Sequence, residues 1–459
     1  MGKAVDNLRP SAVAGRFFPA DPAALLQAAE TCITGGKAGW QPEGTTPRAV
    51  ISPHAGYSYS GWLTGAAWRA TARQRRKRIV ILSPSHRHAF DGIAMPSARA
   101  YAMPGFEVPI DQNARAALTS AGLAHAKDDA HDQEHGVETQ LAFLNRLHPG
   151  ASVVPLVIGR ASVADVAHTV DALAVMGNHP PLFVLSSDLS HFLPLDQAKA
   201  HDLETARLIE TGKIDALTPA HACGSRAVAG YLASDFAQGG RALRLAMASS
   251  HAATGDATRT VGYGAWAFFG AEEEILQPAQ RKALLRAARQ ALVSRLKRGC
   301  SPHVDAASFA KPVGTYAASF VTVQKGRRLR GCIGSLTPHR PLVADVVENA
   351  VQAGFGDPRF EPLEPEELNQ ITLKIAVLSP ARPMAFSDQA DLERQLVPHR
   401  DGLILSDGRH RGTFLPMVWD NLQTPHAFVQ KLKLKAGLPV EHWSDSLQIH
   451  RFHAESFAE

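Results

Sequence analysis

Cysteine is scarce in this 459-residue chain: Cys32, Cys223, Cys300 and Cys332 are the only four, and no two form a CxxC pair. That excludes a disulfide scaffold and a zinc ribbon, and it fits a reducing compartment with one or two thiols kept for chemistry. The iron–sulfur spacing CxxxCxxC is missing too, so radical chemistry of that type would have to come from another protein. No apolar run approaches the ~20 residues of a membrane span. The opening segment MGKAVDNLRPSAV lacks the apolar core of a signal peptide, so the expected location is cytoplasmic, with no membrane partner. Neither GxGxxG nor a P-loop occurs, which leaves nucleotide binding without support. The charge balance is unremarkable: net +5 and a pI near 9.0 over so long a chain do not imply nucleic acid. The one dense basic run, Arg73, Arg75, Arg76, Lys77 and Arg78, reads as a solvated helix end leading into a buried strand.

What is present is enough apolar material for two cores, with 45% hydrophobic and 20% charged residues. A composition shift near 270–278, where an apolar stretch gives way to three acids, suggests two domains, 1–272 and 278–459. The second opens on an amphipathic helix at 279–298, with Leu284, Leu285, Ala288, Leu292 and Leu296 at helical spacing. In the first domain, apolar strand-like runs end in chemically capable residues. Ala-Val-Ile leads into Ser52-Pro53-His54-Ala55-Gly56-Tyr57, Ile79-Val-Ile-Leu into Ser83-Pro84-Ser85-His86, and Leu-Phe-Val-Leu into Ser186-Ser187-Asp188-Leu189-Ser190-His191. Helical stretches at 163–176 and 197–211 lie between such runs. The alternation predicts an α/β fold with a central sheet buried on both faces. Ligands of such sheets collect beyond the carboxyl ends of the strands, where these His-bearing segments begin. The second domain mixes strands (315–323, 371–378, 402–405) with helices (342–354, 426–436) without a βαβ rhythm, so α+β is expected.

The candidate groups of the first domain are His54, His86, His88, His135, Glu138, Asp188, His191 and Cys223. Two imidazoles and one anion around an open position suit non-haem iron, and a Cys223 thiolate in the anionic role also admits copper or zinc. The alternative is a set of hydrogen-bonded histidines lining a pocket without metal. His88 reads as a surface or supporting residue. His135 and Glu138, three apart, would share a helix face, either as orienting neighbours or as a plain helix start.

These blocks resemble the Memo family. The run Ser52 to Gly61, then Ser83-Pro84-Ser85-His86, Glu134-His135-Gly136-Val137-Glu138, Ser186 to His191, and Ala222-Cys223-Gly224 occur in family order over about residues 10–270. The resemblance implies a LigB-like fold, similar to the class III extradiol dioxygenases, which hold iron through two His and a carboxylate. It also implies that His54, His86 and Cys223 form the corresponding pocket. His191 then matches the acid/base histidine, and Asp188 lies in its block. Iron is the expected metal and copper the next. One departure weighs against ring cleavage: a cysteine in place of the carboxylate is softer and itself oxidisable.

In the second domain, Leu329-Arg330-Gly331-Cys332-Ile333-Gly334-Ser335-Leu336 carries a resemblance to the AMMECR-type family, extended by Asp357-Pro358-Arg359-Phe360 and Arg411-Gly412-Thr413-Phe414. It covers about residues 278–455. Cys332 is the candidate nucleophile, with Arg330 as the activating cation and His339 or His410 as a base. The plainer reading is a tight turn holding a buried cysteine. Both families are associated in prokaryotes with a radical-SAM protein, in the AmmeMemoRadiSam system. The fusion therefore implies a shared pathway, a radical-SAM partner and a small-molecule substrate. Two functional classes follow: a metal-dependent, redox-active enzyme, or a non-catalytic ligand- or peptide-binding adaptor.

Overall fold

The computed structural model describes residues 7–35, 45–271, 273–302, 304 and 313–459. The chain divides into two units, the first ending at Gly270 except that the short piece Gly239–Arg241 groups with the second. Glu272, the expected end of the first domain, lies outside the described residues.

The first unit is built on one nine-stranded sheet. Its strands are β1 (Ala49–Ser52), β2 (Arg78–Pro84), β3 (Ile93–Met95), β4 (His125–Ala126), β5 (Ser152–Ile158), β6 (Leu182–Ser186), β7 (His191–Leu193), β8 (Arg241–Ser249) and β9 (Thr260–Phe269). The order is β7-β9-β1-β6-β2-β5-β3-β4, with β8 on β9. The centre, β1-β6-β2-β5, is parallel, and β9 and β3 flank it antiparallel. Every residue of β1 and β6 is buried. Ala49, Ile51, Val80, Leu82, Phe183 and Leu185 pack into one core cluster, while the alternate residues Val50, Ile79, Ile81 and Val184, equally buried, lie outside it. A strand with both alternations buried is covered on both faces, which is why these runs are continuously apolar.

Helices supply the cover: α1 (Pro22–Gly35), α2 (Tyr57–Arg69), α3 (Leu141–Leu147), α4 (Val163–Ala174), α5 (Leu195–Thr211) and α6 (Ser225–Ala233). The first three pack on one another. The others enter the core cluster through Val166, Val170, Leu173, Ile209, Val228 and Leu232. α4 starts on a capping box: Ser162 Oγ accepts the Asp165 N–H and the Asp165 carboxylate accepts the Ser162 N–H. α5 stops at Gly212, whose φ of 67° is the left-handed cap.

The second unit begins with α7 (Pro278–Arg298) and contains α8 (Leu342–Phe355) and α9 (Pro425–Lys435). Its strands are β10 (Ala318–Lys325), β11 (Arg328–Gly334), β12 (Ile371–Leu378), β13 (Arg382–Pro383), β14 (Gly402–Asp407), β15 (His410–Phe414), β16 (Gln448–Phe452) and β17 (Ala454–Ala458). They form two antiparallel sheets, β11-β10-β12-β17 and β13-β16-β14-β15. The first sheet packs under α7 and α8 through Leu284, Leu292, Val343, Val346, Val321 and Leu373. The second packs under α9, where Trp419 stacks on Phe428 with centroids 3.9 Å apart. The segment expected to be a tight turn around Cys332 is instead the strand β11. Its glycines permit close approach: a Cβ at 331 would collide with the Ala353 carbonyl, and one at 334 with the Phe320 ring.

Candidate metal centre

The parallel register fixes the site. Ser52 lies opposite Ser186 at the carboxyl ends of β1 and β6, and Leu82 lies opposite Leu185 one strand over. The three chains therefore leave the sheet side by side, carrying His54, His86 and Asp188 to one edge. Cys223 arrives from the turn before α6. One ligand atom each from His54, His86 and Cys223 lie within 4.8 Å of one another.

The hydrogen bonds decide which nitrogens face inward. Ser186 Oγ donates to the Gly136 carbonyl at 2.6 Å, so its contact with His54 Nδ1, at 2.8 Å, is accepted from the ring. The proton is then on Nδ1, and the lone pair of Nε2 points at Cys223 Sγ, 3.3 Å away. His86 Nδ1 contacts Glu134 Oε1 at 2.8 Å, which likewise leaves its Nε2 for the pocket. An oxygen behind each Nδ1 is how proteins orient metal-binding imidazoles.

Glu134 is the residue that sequence reading passed over. Its carboxylate accepts the backbone N–H groups of His86, His135 and Gly136 as well as the His86 ring. Burial alone would raise it, but the His86 hydrogen bond and the neighbouring imidazoles hold it at about 2. Its oxygens are occupied, so in the neighbouring group of His86, Glu134 and His135 it acts as an anchor for His86 rather than a ligand. His135 is brought in: its ring lies 4.4 Å from His86 and 5.2 Å from His54. Burial first, and His54 second, push it down to about 3. Its buried Nδ1 has no hydrogen-bond partner among the described residues, and lies 3.6 Å from Glu134 Oε1. Glu138 turns away. It pairs with Arg9 and accepts from Ser11 and the Ala12 and Val13 N–H groups, tying down the N-terminal segment. His88 is exposed.

Asp188 accepts the His54 N–H at 2.9 Å, and its other oxygen is 3.9 Å from His54 Nε2. Burial raises its pKa. Cys223 Sγ accepts the Asp188 N–H at 3.2 Å. Burial first, and Asp188 second, push its thiol up to about 12. Without an ion this sulfur holds its proton, and a cation at the pocket centre would displace it. His191 Nδ1 bonds to the Leu189 carbonyl at 2.8 Å; the ring is near enough to influence His54 and Asp188 electrostatically, and among the described residues it makes no hydrogen bond to either.

In the second unit, Cys332 is half-buried on β11 and accepts from Thr322 Oγ1 at 3.3 Å. Arg330 is not its cation. The ladder skips from the pair Val323–Gly331 to the pair Gln324–Leu329, leaving Arg330 on a bulge. Its guanidinium grips Glu367 at 2.8 and 3.0 Å instead. His339 and His410 bond through Nδ1 to the Thr337 and Ala436 carbonyls, and among the described residues neither has a hydrogen bond to the thiol.

A buried, partly parallel sheet with a two-His, one-Cys pocket at its carboxyl edge defines an α/β protein whose site has the donor set of a transition-metal centre. The model of the Memo-like protein family matches residues 9–267 and that of the AMMECR1 family matches residues 285–457. The chain belongs to the Memo-like family and carries an AMMECR1 domain after it. A protein of Methanothermobacter thermautotrophicus is 39% identical over 146 residues, 30% of this chain and 74% of that one. Protein MK0488 of Methanopyrus kandleri is 34% identical over 195 residues, 40% of this chain and 91% of its own length. Among solved structures, the uncharacterized protein PH0010 from Pyrococcus horikoshii matches at 31% identity with a TM-score of 0.36, covering 39% of this chain and 90% of that one.

Proposed function

We propose that the Memo-like domain is a metal-dependent redox enzyme, in which His54, His86 and Cys223 hold one transition metal, iron first and copper next. The observation that supports this most is the convergence of their ligand atoms within 4.8 Å, with both imidazole Nδ1 atoms already engaged. The donors are too soft for magnesium or calcium. Such an ion, when bound, supplies Lewis acidity and electron transfer. The chain's own residues do the rest. Ser186 and Glu134 orient the two rings, Asp188 fixes the His54 backbone, and His191 Nε2 takes or gives a proton at the pocket mouth. A thiolate ligand is oxidisable, which favours redox work on a small molecule over ring cleavage. In this reading a separate radical-SAM protein is the partner, as the association of both families with such a protein in prokaryotes implies; the chain itself has no CxxxCxxC motif.

Elemental analysis of tag-free protein tests the reading. Wild type should carry close to one iron or copper. His54→Ala and Cys223→Ser should lose it, and Ser186→Ala should weaken iron(II) affinity about 10–100-fold. His191→Ala should keep the metal. Identical iron(II) and copper titrations of wild type and His54→Ala would sink the proposal and leave the adaptor reading.

A further inference from the structure

Within the AMMECR1 domain a cavity of about 620 Å³ opens between the two sheets, with Cys332 in its wall. That volume suits a small molecule. Its charged lining is Arg327, Arg359, Lys435 and Asp357, three cations against one carboxylate, or +2. Asp357 is fully engaged: it accepts the Cys332 N–H at 2.9 Å and both arms of the Arg359 guanidinium at 2.6 and 2.9 Å. The remaining positive charge therefore belongs to Arg327 and Lys435. Arg327 has no hydrogen bond or ion pair among the described residues. Lys435 Nζ donates to the Thr413 carbonyl at 2.8 Å and lies over the Phe414 ring, with no carboxylate partner among the described residues. Phe320, Leu415, Met417 and Val418 add apolar surface to the lining. Cations left without counter-charges beside apolar side chains are satisfied by a ligand that brings both an anion and a hydrocarbon surface.

We propose that this cavity binds a small amphipathic organic anion, its charged group between Arg327 and Lys435, its apolar body on Phe320, Leu415 and Met417, and Cys332 Sγ beside it. Every residue of the proposal belongs to the AMMECR1 domain.

The test uses the full chain and 1-anilinonaphthalene-8-sulfonate as the anionic probe, with neutral N-phenyl-1-naphthylamine and inorganic phosphate as the other arms. Iodoacetamide labelling followed by peptide mapping reads Cys332, with the exposed Cys300 as internal control. The sulfonate should slow labelling of Cys332 and leave Cys300 unchanged. Lys435→Gln should weaken the sulfonate about tenfold and Arg327→Gln by several-fold, each with unchanged affinity for the neutral probe. Arg327 is exposed, so its variant keeps the test decisive should Lys435→Gln fail to fold. Unchanged Cys332 labelling under the sulfonate overturns the proposal, as does equal protection by the neutral probe. Full protection by phosphate alone overturns the apolar half of it.

Discussion

Single side chains in the first unit carry a measurable pH signature. His148 is buried, its Nδ1 accepting the Arg76 N–H at 3.1 Å and its Nε2 bonded to Thr71 Oγ1 at 2.8 Å. Burial first, then Arg76, lowers it from 6.5 to about 4. His131, buried under Tyr101 and Arg9, is lowered to about 4 as well, mainly by burial. Each folded value lies below the unfolded one, so the unfolded chain binds more protons between about 4 and 6.5. Stability is then full above pH 7 and falls as pH drops through that window. A His148→Gln variant, which keeps a donor and an acceptor, should flatten the fall by on the order of 2 kcal/mol at pH 4 in urea titrations. An unchanged pH slope would show that His148 titrates normally. At this scale the sequence was only partly legible. His54, His86 and Cys223 stand out because each follows a strand end or a small-residue turn. Glu134 was masked by its neighbour's spacing: His135 and Glu138 look paired on a helix, yet the 3-10 turn begins only at Glu138, whose partner Arg9 is 129 residues away. No local pattern reports a contact of that span.

Among the elements, β11 is where sequence reasoning failed most instructively. Its two glycines signal a turn by the usual rule. Neither has a positive φ, and both serve close packing instead. Gly331→Ala should therefore cost about 2–3 kcal/mol, because the Ala353 backbone cannot yield without moving α8. Gly326→Ala, in the open β10–β11 turn at φ 61°, should cost about 1 kcal/mol from backbone conformation alone. Denaturant midpoints of the two variants give the comparison; equal losses would mean the crowding at 331 relaxes. By contrast, β12 over 371–378 was readable residue for residue, since a mostly apolar run of eight, half of it β-branched, has few other fates. The expected helix at 342–354 also formed, one residue longer, because its apolar stripe is uninterrupted.

For the whole molecule, the last strand of the first unit ends at Phe269 and the first helix of the second begins at Pro278. Limited proteolysis should cut between these points and release two stable fragments, read by intact mass. Cleavage that shreds either half first would argue against separately folding units. No helix among the described residues is long and apolar enough to cross a membrane. The way the first unit closes has a further consequence for how the protein is made. The sulfur and the ring nitrogen that meet in the pocket are 169 residues apart in the chain, and the Ser186 hydroxyl that sets the His54 tautomer is 132 away. A ribosome that has released the first two histidines has released no site at all. Cys223 is made 169 residues after His54, so a nascent chain that stops short of the segment before α6 holds the two histidines without the sulfur that completes the cluster.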